Sequence, residues 1–230
     1  MKEKVIVIIP ARGGSKGVPK KNIKSFLGKP LVQHSIDYAK QSHYVKEIIV
    51  TTDDKKIKNL SKELNVSVID RPESLSGDKA TTESAIEHVI ESKNIQDESI
   101  IVLLQPTSPI RPKKSLDKIL EKFCNENFDS LLTLSPIHPL TWKINEKPEC
   151  MYDYLNRPRR QDFLDEDLIY DENGSVYVFK VKIFNKSINR LGGNIGFYIF
   201  DEEYGKQIDT PLDFKVLEAI GNYLNEADDE

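Results

Sequence analysis

Cysteine is scarce: Cys124 and Cys150 are the only two in 230 residues, so no disulfide framework or cysteine-rich zinc site can be assembled. That usage suits a reducing compartment, and a cytoplasmic location is expected. The four histidines are scattered. Long apolar runs are missing as well. Nothing approaches the roughly 18 to 20 apolar residues of a membrane span, and the apolar stretch near the N-terminus, residues 5–9, is too short for the core of a signal peptide. Nor is there a basic excess. Lys plus Arg number 33 against 37 Asp plus Glu, a net charge of −4, which argues against a general nucleic-acid binder whose partner phosphates call for a basic surface. Neither nucleic acid nor membrane is expected as a partner, and any polyanion must be held locally. Internal repeats and low-complexity linkers are absent.

What is present is an ordinary soluble composition, 38% hydrophobic and 30% charged, in a chain long enough to bury a core as one large or two small domains. Short apolar runs alternate with helical patterns, the βαβ signature of a parallel sheet covered on both faces. Strands are predicted at Val5–Ile9, Ile48–Thr52, Ser67–Ile69, Ile100–Leu104, Leu131–Leu134, Val176–Phe179 and Ile195–Phe200. Helical spacing is carried by Leu31–Ala39, Ile57/Leu60/Leu64, Ala85/Ile86/Val89/Ile90 and Leu116/Ile119/Leu120/Phe123, with a last helix over Leu212–Leu224. Residues 136–170 break the rhythm with four prolines, the only tryptophan and the mixed-charge "RPRRQDFLDEDL". They read as an inserted arm, leaving 1–135 and 171–230 as one α/β domain. The acidic end "EADDE" reads as frayed and solvated.

The stretch "VIVIIPARGGSKGVPKKNI", residues 5–23, sets an apolar run against a loop with three glycines and four basic side chains. In an open α/β sheet, ligands bind at the carboxyl ends of strands, where this loop begins. Glycine lets the backbone approach a ligand with no Cβ in the way. Successive backbone N–H groups can form an anion nest, and Arg12, Lys16 and Lys21 add mobile cations able to follow charge during phosphoryl transfer. A triphosphate is the guest this predicts. The loop is neither a P-loop nor a dinucleotide fingerprint, since GxxxxGK[ST] and GxGxxG are both absent. On composition alone, a glycine turn with solvated lysines carries about equal weight.

The spacing R-G-G-S-K-G-x-P-x-K-N resembles the signature of the CMP-sialic acid synthetases, the N-acylneuraminate cytidylyltransferases. Four further segments agree in order: "RPESLSGDKATTES" at 71–84, "LLQPTSPIR" at 103–111, "RPRRQDF" with "ENGSVY" at 157–163 and 172–177, and "IDTPLDF" at 208–214. The resemblance implies a three-layer, Rossmann-like nucleotidyltransferase fold: a mostly parallel twisted sheet with helices on both faces and an inserted dimerisation arm. It implies transfer of CMP from CTP to the anomeric hydroxyl of a nine-carbon 2-keto sugar acid, releasing pyrophosphate with the help of Mg2+ (or Mn2+). Ala11, Arg12, Gly13, Ser15 and Lys16 resemble the triphosphate contacts. Lys21, Arg12 and Lys16 carry the catalytic charge, with Lys21 of greatest kinetic effect, because phosphoryl transfer depends largely on positioning and electrostatics. Asn22, Arg71, Ala80 and Thr82 are similar to nucleotide-recognition positions. Backbone carbonyls near residue 80 can accept from cytosine N4, and Arg71 can donate to O2 and N3. The wrong base then leaves buried polar groups unpaired. Outside the family, Arg71 would read as a surface arginine before a turn-forming proline.

For the sugar acid, the resemblance points to Gln105, Arg159, Arg160, Gln161, Asn173 and Tyr177. A guanidinium grips a carboxylate bidentately, and Arg159 is the closest match to a substrate-contacting arginine on an arm that reaches into the neighbouring subunit of a homodimer. The competing readings are an interface strand pairing with "DEDL" for the arm, a core aromatic for Tyr177, and a plain turn for residues 106–109. The metal position departs from the family pattern. Many members read "DIDT" where this chain has "KQIDTP", so Gln207 replaces the first acid and Asp209 is the one ligand carried over. Thr210, Pro211 and Asp213 read as N-cap, first helical residue and capping-box acid. A second departure is Asp171 and Glu172 ahead of Asn173, where some bacterial members carry an arginine. The wording is closer to the animal-type enzymes, although the chain is too short for their additional C-terminal domain. N-acetylneuraminate is the favoured acceptor, then legionaminate or pseudaminate, then the eight-carbon 3-deoxy-manno-octulosonate. A nucleotide-sugar glycosyltransferase would want an Asp-x-Asp at a strand end, whereas Asp165-Glu166-Asp167 falls in the arm. A non-catalytic nucleotide-binding regulator would keep the glycine loop without depending on Lys21 or Asp209.

Overall fold

Alternate side chains of a strand point to opposite faces, so an unbroken apolar run feeds two cores at once. The computed structural model describes residues 3–164 and 168–229, with Arg160 and residues 227–229 through their backbone alone. The chain runs β1 (Val5–Pro10), the ribbon β2 (Ser25–Phe26) and β3 (Lys29–Pro30), α1 (Leu31–Lys40), β4 (Val45–Thr52), α2 (Lys55–Glu63), β5 (Ser67–Asp70), α3 (Thr82–Ser92), β6 (Ile100–Leu104), α4 (Ser115–Asn125) and β7 (Ser130–Ile137). It continues through β8 (Trp142–Ile144), β9 (Pro148–Cys150), β10 (Ile169–Lys180), α5 (Val181–Ser187), β11 (Ile195–Ile199) and α6 (Pro211–Asp229).

A seven-stranded sheet of order β11-β7-β10-β6-β1-β4-β5 carries the fold. Val5, Val7 and Ile9 of β1, with Val102 and Leu104 of β6, enter one core with residues of α1, α2 and α4 such as Ile36, Ile57, Ile119 and Phe123. Ile6, Ile8, Ile101 and Leu103 enter the other, against Ile86, Val89 and Ile90 of α3 and Phe184 of α5. Both faces are therefore covered, as the apolar runs predict. Each fully buried Val, Leu or Ile side chain stabilises by about 1.5–3 kcal/mol, so stability resides in these layers rather than in the loops at the strand ends. A third, smaller cluster of Val18, Phe26, Leu31, Ile208, Phe214 and Leu217 ties the glycine loop to the start of α6.

All seven predicted strands are present in the sheet, and six of its seven members pair in parallel with at least one neighbour. The exception is β10, antiparallel to both β6 and β7. The reason is local. The chain leaves β7 at Ile137, makes the arm, and returns at Ile169 paired with that same residue, with no crossover helix to reverse it. The stem of the arm is thus a continuation of two sheet strands. The register slips between Glu172 and Tyr177, with Gly174 at φ 64°, a bulge that bends β10 at "ENGSVY". The helix α5 was not predicted; its seven residues are too few to show a repeat. In the arm, β8 and β9 form a hairpin, and Trp142 lies 6.1 Å from Tyr152 and 6.2 Å from Tyr154, ring to ring. The "DEDL" acids Asp165–Asp167 lie outside the described residues. No helix among the described residues is long and apolar enough to cross a membrane.

Candidate active site

At the carboxyl ends of β1 and β6 an open cleft of about 360 Å³ collects most of the predicted nucleotide residues. Arg12, Ser15, Lys16, Lys21 and Asn22 line it from the glycine loop, Arg71, Ala80 and Thr82 from the segment that runs from β5 into the start of α3, Gln105 from the turn after β6, and Asp209 from the approach to α6. Four stretches far apart in sequence thus converge on one space.

The loop is held by its backbone. Ala11 N–H donates to the Thr51 carbonyl at 3.0 Å and Gly13 N–H to Asp53 Oδ1 at 2.8 Å, so these two residues anchor the loop beside the cleft rather than line it. Asn22, nearly buried, donates through Nδ2 to the Arg12 carbonyl at 2.9 Å, closing the loop on itself. Gly17 is needed for close approach: a Cβ there would lie 1.9 Å from the backbone oxygen of Asp209. Glycine loop and metal-position segment are therefore packed backbone to backbone.

The cations differ in setting. Arg71 is 8% exposed and donates to the Thr51 carbonyl at 2.7 Å and Thr51 Oγ1 at 3.3 Å, so it is a fixture of the cleft and not the surface arginine of the alternative reading. Burial pushes its pKa down to about 10, opposed by the charge of Asp53, and it stays protonated at neutral pH. The Lys21 side chain is 12% exposed, donates to the Ile208 carbonyl and stands 3.6 Å from Asp209 Oδ1. Burial lowers its pKa, with the Asp209 carboxylate partly restoring it. Arg12 and Lys16 both pair with Asp78. The first turn of α3 opens on the cleft at Thr82, capped by the Thr81 hydroxyl, which accepts from Ser84 N–H at 3.1 Å.

The predicted sugar residues are not brought together in the same way. Gln105 lines the cleft; Asn173 and Tyr177 do not. Asn173 is buried, accepts from the Thr133 hydroxyl at 2.6 Å and from Ser175 N–H at 3.0 Å, and donates to Ser135 Oγ at 3.0 Å, which is how the bulge in β10 is stabilised. Tyr177 donates to Glu172, burial raises its pKa, and its ring lies 4.7 Å beneath the Arg190 guanidinium, itself paired with Glu83 at 2.8 Å. Arg159 is on the arm, 73% exposed, in a two-point pair with Asp162 at 2.8 and 2.9 Å. Gln161 is exposed in the same short turn, and the side chain of Arg160 lies outside the described set.

Sequence reasoning missed Arg111, the last residue of "LLQPTSPIR". It is almost wholly buried, donates to the carbonyls of Gln105 at 2.8 Å and Ser175 at 3.1 Å and to Ser35 Oγ at 3.2 Å, and so fixes the backbone at Gln105. Burial pushes its pKa down to about 10. A cation just after a strand-end turn, with no nearby acid in sequence, was the available signal.

For a divalent metal, the chain offers one carboxylate at the cleft, Asp209, and no group of three or more His, Cys, Asp or Glu side chains suited to an ion exists among the described residues. Gln207 does not line the cleft; its amide lies against Gly174, where a Cβ would come 2.6 Å from Nε2. This donor set fits Mg2+, which keeps its waters and is held by one or two carboxylates and substrate phosphates. At the start of α6 the predicted capping box is present, with Thr210 N–H on Asp213 Oδ2 at 2.7 Å and Asp213 N–H on Thr210 Oγ1 at 3.3 Å.

The chain is 31% identical over 220 residues to N-acylneuraminate cytidylyltransferase A of Danio rerio, covering 93% of this chain and 50% of that protein. It is 28% identical over 223 residues to N-acylneuraminate cytidylyltransferase of Streptococcus agalactiae, covering 95% and 53%. The chain thus spans about half the length of these relatives. A Campylobacter coli protein named post-translational flagellin modification protein B is 28% identical over 225 residues, covering 94% of both. Among solved structures, a CMP:2-keto-3-deoxy-manno-octonic acid synthetase complexed with CTP superposes with a TM-score of 0.70 at 20% identity, over 96% of this chain and 99% of that one. A 4-diphosphocytidyl-2C-methyl-D-erythritol synthase does so at 0.68 and 11%, over 95% and 99%. These likenesses establish the three-layer nucleotidyltransferase fold. A family model described as cytidylyltransferase matches residues 6–221, from the first strand to the last helix, and the chain belongs to that family.

Proposed function

We propose that this chain transfers CMP from CTP to the anomeric hydroxyl of a nine-carbon 2-keto sugar acid, N-acetylneuraminate first, releasing pyrophosphate. The observation that carries the reading is the meeting of Arg12, Lys16, Lys21 and Arg71 with Ala80, Thr82 and Gln105 around one cleft at the strand ends. The β- and γ-phosphates lie against the glycine loop, and Arg12, Lys16 and Lys21 stabilise the charge that grows on the leaving pyrophosphate as the sugar oxygen bonds to the α-phosphorus. Lys21 is held against Ile208 and so is pre-placed. Arg71 and the backbone near Ala80 select cytosine, and Gln105, fixed by Arg111, faces the acceptor. Magnesium, when bound, neutralises phosphate oxygens, and Asp209 is the residue that would hold it. The hydroxyl proton leaves to solvent or to a phosphate oxygen.

The acceptor carboxylate calls for an arginine that the cleft of one chain does not present beyond its phosphate and base contacts. Arg159 on the arm is the candidate, reaching the neighbouring site of a cytoplasmic homodimer. Large apolar side chains on the arm, Ile144 at 71% and Leu155 at 79% exposed, support an interface there. Legionaminate or pseudaminate is the second reading, favoured by one observation: a relative matched over 94% of its length is named for flagellin modification. The eight-carbon acid follows, supported by fold likeness alone.

Pyrophosphate release from each of the four nucleoside triphosphates, against a panel of eight- and nine-carbon keto acids, tests the assignment. Turnover is expected only for CTP with a nine-carbon acid. Comparable rates with sugar phosphates as acceptors would overturn it.

A further inference from the structure

Two of the cleft cations already share one carboxylate of the chain itself. Lys16 Nζ lies 3.0 Å from Asp78 Oδ2 and Arg12 Nη1 3.4 Å from Asp78 Oδ1. Arg12 Nη1 also donates to the Gly77 carbonyl at 2.9 Å and reaches the Ser76 carbonyl at 3.5 Å. Residues 76–78 thus meet this pair with a carboxylate and two carbonyl oxygens, an array of acceptors like that of a phosphate group. Other acids near the cleft are engaged elsewhere: Asp53 accepts from Gly13 N–H, Asp213 caps α6 and Asp209 faces Lys21. Asp78 is half-exposed, on the loop that leads two residues later to Ala80 in the cleft wall.

We propose that Asp78 is a resident anion that exchanges with pyrophosphate. It occupies Arg12 and Lys16 when no polyphosphate is present, yields them to the incoming triphosphate, and returns as pyrophosphate leaves. The idea rests on the reading of the glycine loop as a phosphate cradle. An exposed carboxylate pair is weak, so a ligand with several charged oxygens displaces it. Displacement nonetheless subtracts from the affinity of every polyphosphate. CTP has base and ribose contacts to compensate, whereas pyrophosphate has none, so the subtraction matters for release of the product. Asp78 is a positioning residue for the two cations and a determinant of product affinity.

Calorimetric titration of inorganic pyrophosphate into the full chain, without divalent metal, decides this. Asp78→Asn is expected to bind pyrophosphate about three- to tenfold more tightly, the range two weak exposed pairs allow. Its affinity should also depend more steeply on NaCl, since cations no longer paired internally are screened by salt ions. Asp78→Glu should restore wild-type affinity. Arg12→Ala and Lys16→Ala test the cradle separately. If they leave pyrophosphate binding unchanged, the cradle reading itself fails. If they weaken it while Asp78→Asn leaves it unchanged or weaker, Asp78 is a strut of the loop or a metal ligand, and the exchange is overturned with the cradle intact.

Discussion

The cleft and the arm solve opposite problems. In and beside the cleft, several polar groups are withdrawn from water and given partners from the same chain: Arg71 has Thr51, Lys21 has Ile208, Asn22 has the Arg12 carbonyl, and Arg111, outside the cleft lining, has Gln105 and Ser175. In the arm, Trp142, Tyr154 and Leu155 stand 48%, 60% and 79% exposed, and among the described residues Arg159 pairs with an exposed acid three residues away. One region is complete within a single chain, as a preorganised electrostatic site must be. The other has its apolar surface outward, as an interface does before its partner arrives. On the proposed reading, nucleotide chemistry belongs to one subunit and acceptor recognition to two.

The largest effects separate these regions. Lys21→Ala should lower turnover by at least about a hundredfold, with the circular dichroism spectrum and thermal midpoint unchanged or raised, since a largely buried ammonium is removed. Arg159→Ala should raise KM for the keto acid and leave KM for CTP alone. If the arm crosses between subunits, mixing and refolding the two variants together restores activity at keto-acid concentrations well below the raised KM, because a mixed dimer holds one site with both residues intact; about a quarter of sites are rescued at equal mixing. Absence of rescue, with mixed dimers shown by mass, would place Arg159 and Lys21 in the same chain's site or put Arg159 outside it.

A smaller effect tests how tightly the cleft is built. Gly17→Ala drives a Cβ into the Asp209 backbone, whereas Gly14 has no atom within 4 Å of its own Cβ position. Overpacking of this kind costs about 1–3 kcal/mol, so Gly17→Ala should lower the unfolding free energy by that order and raise KM for CTP. Gly14→Ala should stay within about 0.5 kcal/mol, as surface changes do. Equal tolerance at both positions in chemical denaturation would show that the loop is not clamped to the α6 segment.

The sheet was legible because Val5–Ile9 and Ile100–Leu104 are short runs apolar at consecutive positions, as a strand buried on both faces requires. The direction of β10 was not, because strand polarity depends on where the arm returns the chain, and no residue in Val176–Phe179 records that. Arg12, Lys16 and Lys21 could be read as a group since they share one loop. Arg71 and Ala80 reached the site only through motif resemblance, and Gln105 also through its place at the carboxyl end of the Ile100–Leu104 strand, the convergence of all three being set by strand order. Asn173 and Arg111 mark the limit in both directions. Each is a polar residue in a motif, but Asn173 braces the bulge and Arg111 braces the Gln105 turn through bonds to backbone atoms distant in sequence.

The finest test of the cleft is the alkaline limb of its pH profile. Burial lowers the pKa of Lys21 while the Asp209 carboxylate raises it, burial being the stronger influence. In kcat/KM for CTP, which reports ionisations of the free enzyme, activity should begin to fall at a pH below the ordinary lysine value of 10.5 as Lys21 loses its charge. Asp209→Asn removes the influence that raises the pKa, so it should move that limb to lower pH besides weakening metal dependence. Lys21→Arg keeps the charge and should flatten the limb. Stability must run the other way over the same window. The unfolded chain holds the Lys21 proton more tightly than the folded one, so unfolding free energy from this group rises with pH between the lowered pKa and 10.5. A limb that shifts with Lys21→Arg and Asp209→Asn, while the thermal midpoint changes in the opposite sense, ties the lost charge to the buried ammonium in the cleft. An unmoved limb would assign it to a group elsewhere, such as one on the exposed arm.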